Sequence, residues 1–170
     1  MVKDAVPLGE CGRALVVKLR HHGDVLLAAP VLSVLKAHAP SIEVDALVYD
    51  DTAPMLSGHP ALAQLHTVGR QWRTLGALAR LRLEKKLFGE LRARQYDLLV
   101  HLSEQPRGAW LARTLGARWS VGPIDASRGG WWSSSFTHLY PLIRNRHYVE
   151  VNLDALRRIG VQPGTAERKV

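Results

Sequence analysis

The feature that most restricts the fold is an apolar run, Ala14 to Val17, that leads through a short polar stretch into a segment with helical spacing. A continuous apolar run of this kind is typical of a parallel strand that is buried on both faces. From Asp24 to Ala39, apolar residues recur every three or four positions, which predicts a helix. Pro30 falls near the second turn of that helix, so we expect a kink or a late start. A strand followed at once by a helix predicts a unit of an α/β fold.

The alternation of strands and helices continues to residue 160. Further strands are predicted at 42–49, 65–68, 96–102 and 118–122, and further helices at 72–94, 108–115 and 148–159, with a short capped helix after Asp50-Asp51-Thr52 and an ordered loop at 123–135. Gly160 is expected to end the last helix in the left-handed conformation. This order predicts a Rossmann-like, open, mainly parallel sheet with helices on both faces. Residues 1–12 show no periodicity and are expected to form a flexible leader.

Composition restricts the partners and the compartment. At 170 residues the chain has the length of one domain, and it contains neither an apolar run of membrane-spanning length nor the apolar core of a signal peptide. The single cysteine, Cys11, excludes an internal disulfide, with the cytoplasm as the default compartment. A net charge of +8 favours acidic partners, which include nucleic acid, an anionic membrane surface and phosphorylated substrates.

A carboxylate follows the first predicted strand. Gly23-Asp24 places it at the edge of the sheet where open α/β sheets bind ligands. The glycine-rich dinucleotide fingerprint is absent there, since only Gly23 is present, and a P-loop is absent too. Two roles remain open for Asp24: the N-cap of the helix, or a general base that accepts a proton from a sugar hydroxyl. The Asp50-Asp51 pair is interpreted as a turn with an N-cap, and no metal site is predicted.

The segment from Lys18 through His21-His22-Gly23-Asp24 to Pro30 resembles the N-terminal signature of the ADP-heptose:lipopolysaccharide heptosyltransferases of glycosyltransferase family 9. The form Arg-His-His-Gly-Asp-Val-Leu-Leu is closest to the type III core heptosyltransferase branch. The resemblance covers almost the whole chain but only about half of such an enzyme. It implies that residues 13–160 are the acceptor-binding half of a GT-B glycosyltransferase, that 161–170 begin the interdomain linker, and that the donor domain is absent from this sequence.

The resemblance also implies roles for individual residues. It assigns Asp24 as the catalytic base and predicts an acceptor site formed by Lys18, His21, His22, Gly23, Arg70, Arg73 and Arg128. The three arginines are expected to converge toward the face that carries Asp24. Structural alternatives stay open: a solvent-reaching strand-end lysine, loop structure for the histidine pair, and exposed loop arginines. Trp131-Trp132 is compatible with sugar stacking, a membrane-facing edge or core packing.

The function implied is an inverting transfer of heptose from ADP-heptose to the lipopolysaccharide inner core. No cofactor is expected; ADP-heptose is the donor substrate, held mainly by the missing domain, so this half alone is expected to be inactive. The expected location is cytoplasmic, with the anionic inner face of the inner membrane as a further contact and no nucleic acid as partner. Two alternatives remain: a basic Rossmann-like module that binds anions or nucleic acid without catalysis, and a truncated product without function.

Overall fold

The computed structural model describes residues 3–168 and is organised around a six-stranded sheet of order β3-β2-β1-β4-β5-β6. Every neighbouring pair of strands is parallel. The strands are β1 Arg13–Val17, β2 Glu43–Tyr49, β3 Leu62–Val68, β4 Leu98–His101, β5 Trp119–Pro123 and β6 His138–Tyr140. The helices are α1 His22–Leu26, α2 Ala29–His38, α3 Ala77–Ala93, α4 Pro106–Thr114, α5 Gly129–Ser133 and α6 Tyr148–Arg158. The predicted open, parallel sheet is confirmed.

Hydrophobic cores lie on both faces of the sheet. Successive side chains of a strand point to opposite faces, so Ala14 and Val16 contribute to one core and Leu15 and Val17 to the other. The first core contains apolar side chains of α2 and α6, and the second contains those of α3 and α4. The apolar run that marked β1 in the sequence is therefore buried on both sides, as expected for a central parallel strand.

The structure differs from the sequence-based expectations in several local elements. The interruption expected from Pro30 is confirmed: α1 ends at Leu26, and α2 starts at Ala29 with Pro30 in its first turn, where its missing N–H has no intrahelical partner to lose. The predicted loop at 123–135 contains a 3-10 turn and α5, and the edge strand β6 follows it. Residues before Ala77 form a 3-10 turn, Arg70–Thr74, instead of the start of α3. Gly160 follows α6 with a φ of +94°, as predicted.

The N-terminal segment packs against the domain, in contrast to the flexible leader predicted for residues 1–12. Val6, Leu8 and Cys11 are buried, and the Val6 amide donates to the Ile159 carbonyl at 2.9 Å. Apolar side chains in this segment supply the burial that an unstructured leader would lack. Residues 1, 2, 169 and 170, at the outer ends of the predicted leader and linker, lie outside the described residues.

Helix α3 packs on the sheet only through its C-terminal half. Leu87 and Leu91 are buried there, whereas Leu78 and Leu81 in the first half are 63% and 62% exposed. Within residues 3–168, no helix is both long and apolar enough to cross a bilayer.

Candidate active site at the carboxyl edge of the sheet

The predicted site residues follow the carboxyl ends of the strands. Lys18 and α1 follow β1, Arg70 and Arg73 follow β3, and Arg128 follows β5. The strand order reverses between β1 and its neighbour β4, which makes the end of β1 the switch point where open α/β sheets bind ligands. The fold therefore places Asp24, the predicted base, beside this crevice.

Lys18 links three elements at the switch point. Its buried Nζ donates hydrogen bonds to the Leu102 carbonyl at 2.8 Å and to Asn152 Oδ1 at 2.9 Å. The Asn152 amide donates in turn to the Leu27 carbonyl at 2.9 Å, at the end of α1. Burial lowers the pKa of Lys18 to about 8, although the Asp24 carboxylate opposes that effect. Lys18 is thus not a lysine whose amine reaches into solvent, and its ammonium has one N–H left for a ligand.

Asp24 does not cap the helix. His21 occupies the N-cap position of α1, and Asp24 lies in the first turn. Within residues 3–168, its carboxylate accepts no hydrogen bond, and its ion pair is with Arg20, with Nε 3.7 Å from Oδ2. The side chain is 19% exposed. A carboxylate without a capping bond, within reach of solvent, is free to contact a ligand hydroxyl.

The residues around Asp24 leave room for a ligand. His21, His22 and Gly23 are exposed, and a Cβ added to Gly23 would meet no atom within 4 Å. His22 lies close enough to Asp51 to contribute to lowering the pKa of that carboxyl, after the larger effect of Arg70. No group of three or more His, Cys, Asp or Glu side chains in the described part of the chain is arranged to hold a metal ion.

The Asp50-Asp51 pair anchors Arg70 and does not cap a helix. Arg70 Nε donates to Asp51 Oδ2 at 2.8 Å, and its backbone N–H donates to Asp50 Oδ1 at 3.0 Å. The guanidinium also lies 4.1 Å from the centre of the Tyr49 ring and donates to the Arg20 carbonyl at 3.2 Å. The loops after β2 and β3 are thereby fixed to each other.

Arg128 lies on the opposite flank of the crevice from Arg70. Its Nε donates to Asp125 Oδ2 at 3.0 Å, and its guanidinium lies 5.2 Å from the Trp132 ring. Four strand spacings separate β3 from β5, which amounts to roughly 19 Å. The three arginines therefore follow strands at the edge of the sheet that carries Asp24, with Arg70 and Arg73 in the lining of one groove and Arg128 outside that lining. Trp132 itself is fully buried and donates to the Pro123 carbonyl at 2.7 Å, so it is a core residue.

A groove of about 880 Å³ opens at this edge between α3 and α4. Its apolar lining includes Leu81, Leu87, Phe88, Leu91, Trp110 and Leu111. Its cationic lining consists of Arg20, Arg70, Arg73, Arg80, Lys85 and Arg107, together with His21. The single carboxylate in the lining, Glu84, binds both terminal nitrogens of Arg107 at 2.6 Å. The groove thus unites Arg70, Arg73 and His21 of the predicted acceptor site, and it adds Arg20, whose spacing of four residues from Asp24 was the available sequence signal.

Comparison with known proteins finds similarity to glycosyltransferase family 9. The family model described as "Glycosyltransferase family 9 (heptosyltransferase)" matches residues 84–167. The predicted resemblance to glycosyltransferase family 9 is confirmed. Lipopolysaccharide heptosyltransferase 3 of Escherichia coli (strain K12) is 38% identical over 144 residues, which cover 84% of this chain and 41% of that protein. Lipopolysaccharide heptosyltransferase 1 of Pseudomonas aeruginosa is 30% identical over 141 residues, which cover 81% of this chain and 40% of that protein.

Solved structures of a family 9 glycosyltransferase and of a heptosyltransferase have the same fold. A family 9 glycosyltransferase from Veillonella parvula superposes with a TM-score of 0.78 at 23% identity, over 94% of this chain and 44% of its own. The E. coli heptosyltransferase WaaC with ADP-2-deoxy-2-fluoro heptose superposes with a TM-score of 0.76 at 23% identity, over 90% of this chain and 50% of its own. The chain spans about two fifths of the length of the curated relatives it matches.

Proposed function

We propose that this chain is the acceptor-binding, base-bearing half of an inverting heptosyltransferase that transfers heptose from ADP-heptose to the lipopolysaccharide inner core. The observation that carries the proposal is the position of Asp24, at the switch point of the sheet, without a capping bond and next to a cation-lined groove. The names of the relatives supply the reaction class. The donor nucleotide is assigned mainly to a second domain.

In the proposed reaction, a hydroxyl oxygen of the acceptor attacks the anomeric carbon of the donor heptose. The bond from that carbon to the ADP oxygen breaks as the new glycosidic bond forms, ADP leaves with the bonding electrons, and the configuration inverts. Asp24 takes the hydroxyl proton during the attack. Arg20, with Nε 3.7 Å from Oδ2, is close enough to orient the carboxylate. Arg70, held by Asp51, and Arg73, exposed, would bind anionic groups of the acceptor core.

The remaining acceptor residues have distinct proposed contacts. Lys18 would donate its remaining N–H to an acceptor oxygen. His21 and His22 would donate to acceptor hydroxyl or phosphate oxygens, and Gly23 would leave the space that the sugar occupies. Arg128 would contact a second part of the acceptor, because it lies across the crevice from Arg70. We place the domain at the cytoplasmic face of the inner membrane, where peripheral contact with anionic lipid accompanies acceptor binding.

The test is Asp24→Asn in a two-domain enzyme that contains this chain as its acceptor half. Loss of a general base should lower kcat by about a hundredfold or more in a transfer assay with ADP-heptose and a heptose-bearing core oligosaccharide. Because Asp24 makes no capping bond, the substitution should change the free energy of unfolding of the enzyme by less than about 1 kcal/mol.

Asp97→Asn is the matched control, since Asp97 accepts from the Gly12 and Arg13 amides far from the crevice. It should lower stability while kcat stays near its original value. Near-normal turnover by Asp24→Asn would reject the general-base assignment. The outcome favouring a non-catalytic basic module would be salt-sensitive binding of nucleic acid with no transfer by the two-domain enzyme.

A further inference from the structure

The N-terminal half of α3 carries an exposed apolar surface that no element of the domain covers within residues 3–168. Leu78 and Leu81 are 63% and 62% exposed on α3, and Trp110 of α4 and Trp131 are 60% and 41% exposed. The Trp110 and Trp131 rings meet edge to face, with centroids 6.3 Å apart, and Trp110 and Leu81 line the same groove. Leu78 is one helical turn from Leu81. These four exposed side chains, two on α3 and two at and beyond α4, are here called the α3–α4 face.

The first ten residues of α3 also carry four cationic side chains. Arg80, Arg82, Lys85 and Lys86 interleave with the leucines, and none of the four forms an ion pair within the described residues. Glu84, the carboxylate among them, is already bound by Arg107. Exposed leucines of α3 and exposed indoles of α4 and α5, beside lysine and arginine side chains without ion pairs, are the residue types that bind an anionic membrane interface.

We propose that the α3–α4 face docks on a bilayer that contains anionic lipids. This inference rests on the proposed function, whose membrane contact it assigns to a specific surface. A second copy of the chain is a poorer occupant, because a symmetric contact would bring the same unpaired cations together. An anionic headgroup layer complements those cations, and the leucine and indole side chains reach the acyl boundary.

Docking by this face would also bring one part of the groove lining to the bilayer. Trp110 and Leu81 line the groove together with Arg20 and Arg70 of the carboxyl edge. A saccharide attached to a lipid in the same bilayer would therefore be presented along the groove toward Asp24. The membrane would hold the acceptor at high local concentration without any change in the reaction itself.

The experiment measures binding of this chain to vesicles of phosphatidylglycerol and phosphatidylcholine, and to vesicles of phosphatidylcholine alone, by co-sedimentation. We expect binding to the anionic vesicles that weakens as salt increases, with little binding to the neutral ones. Leu78→Gln combined with Leu81→Gln should weaken binding about tenfold or more. Ile143→Gln, which changes a 39% exposed residue elsewhere, is the matched control and should bind as the original chain does.

The cationic side chains of α3 are tested by a second variant with a control of its own. Arg80→Gln combined with Lys85→Gln should weaken binding about twentyfold. Arg144→Gln, whose side chain is 83% exposed and pairs with Glu104, should have little effect. If the leucine variant fails to fold by circular dichroism, Trp110→Ser replaces it, because the exposed indole adds little to the core.

Three results would overturn the proposal: equal binding of neutral and anionic vesicles, unchanged binding after the leucine substitutions, or a chain dimer in solution that those substitutions dissociate. The vesicles contain no saccharide, and Asp24→Asn should bind them as well as the original chain does. Failure of vesicle binding therefore rejects this surface alone, while failure of transfer in the two-domain enzyme rejects the proposed reaction alone.

Discussion

Asn152 is the residue that connects the predicted base helix to the rest of the domain. It is 2% exposed, accepts from Lys18 and donates to the carbonyl at the end of α1. Its removal would take this donor from the partly buried Leu27 carbonyl and leave the buried Lys18 ammonium with one partner fewer. Unsatisfied buried polar groups are costly, more so when one is charged.

Asn152→Ala should therefore lower the free energy of unfolding by about 2–4 kcal/mol, measured by urea denaturation. Asn145→Ala is the control, because Asn145 is exposed in the loop before α6, and its change should stay within about 0.5 kcal/mol. Equal stability of the two variants would show that the Lys18–Asn152 bond contributes nothing.

At the scale of single residues, the sequence predicted positions better than partners. Asp24 was recognised from the motif after β1, and its place at the carboxyl edge follows from the strand that precedes it. The partner of Lys18 is 134 residues away, and that of Arg70 is 19 residues away. Such pairs depend on how the loops are arranged in three dimensions, which residue spacing does not encode. For the same reason the capping role considered for Asp50 and Asp51 was wrong.

Among the elements, β2 carries a buried acid that stabilises the end of the sheet opposite the crevice. Asp45 has no exposed side-chain surface, and it accepts hydrogen bonds from Arg94 Nε at 2.7 Å and Tyr96 Oη at 2.7 Å. Burial opposes ionisation of Asp45, but hydrogen bonds from His66, Arg94 and Tyr96 outweigh it and lower its pKa to about 2. These bonds join β2 and β3 to the residues between α3 and β4.

The depressed pKa of Asp45 sets the direction of an acid effect. The unfolded chain takes up a proton at Asp45 near pH 4, while the folded chain does so near pH 2, so the contribution is complete above about pH 4 and falls as the pH drops toward 2. Tyr96→Phe removes one hydrogen bond and should move this acid limb to higher pH. Urea denaturation from pH 2 to 6 tests both expectations, and an unchanged limb in Tyr96→Phe would contradict the assignment.

How well an element could be predicted depended on its length and on how clearly polar or helix-breaking residues marked its ends. Strands β1 and β2 were found within a residue of their ends, because long apolar runs bounded by polar residues leave few alternatives. Strand β6 was missed because it has three residues, His138–Tyr140, at the edge of the sheet. Helix α5 was missed because Gly129 and Gly130 begin it, and glycine is a poor helix former.

For the whole molecule, the proposal assigns acceptor binding to this chain and donor binding to a second domain. It therefore gives a prediction for the 170-residue chain on its own. It should bind phosphorylated core oligosaccharide weakly, with affinity that falls as salt increases, because the cations line the groove proposed to bind the acceptor. It should transfer no measurable heptose, since catalysis requires donor and acceptor to be held together, an effect worth roughly 7–11 kcal/mol. Calorimetry and a transfer assay test this, and micromolar binding of ADP-heptose or clear turnover would contradict it.

The overall architecture could be predicted because the alternation of strands and helices admits few arrangements, and parallel strands bring the loops after them to one edge. The groove between α3 and α4 could not be predicted. It depends on how far the first half of α3 stands from the sheet, which is decided by packing at Leu87 and Leu91 and by the bonds from Arg94 to Asp45.

The domain boundaries at 13–160 and the linker at 161–170 stay predictions.

The bonds that fix the loop after β3 to the loop after β2 have a consequence for engineering. A segment transplanted from this chain into a related enzyme to change its acceptor would carry Arg70 without the acids that orient it. The guanidinium would then be mobile, and the graft would fail even though every residue of the transplanted loop was correct. The smallest part that can be exchanged therefore consists of two discontinuous segments, 49–51 and 69–74. Recombination between homologous genes that separates these segments should yield poorer enzymes than recombination that keeps them together.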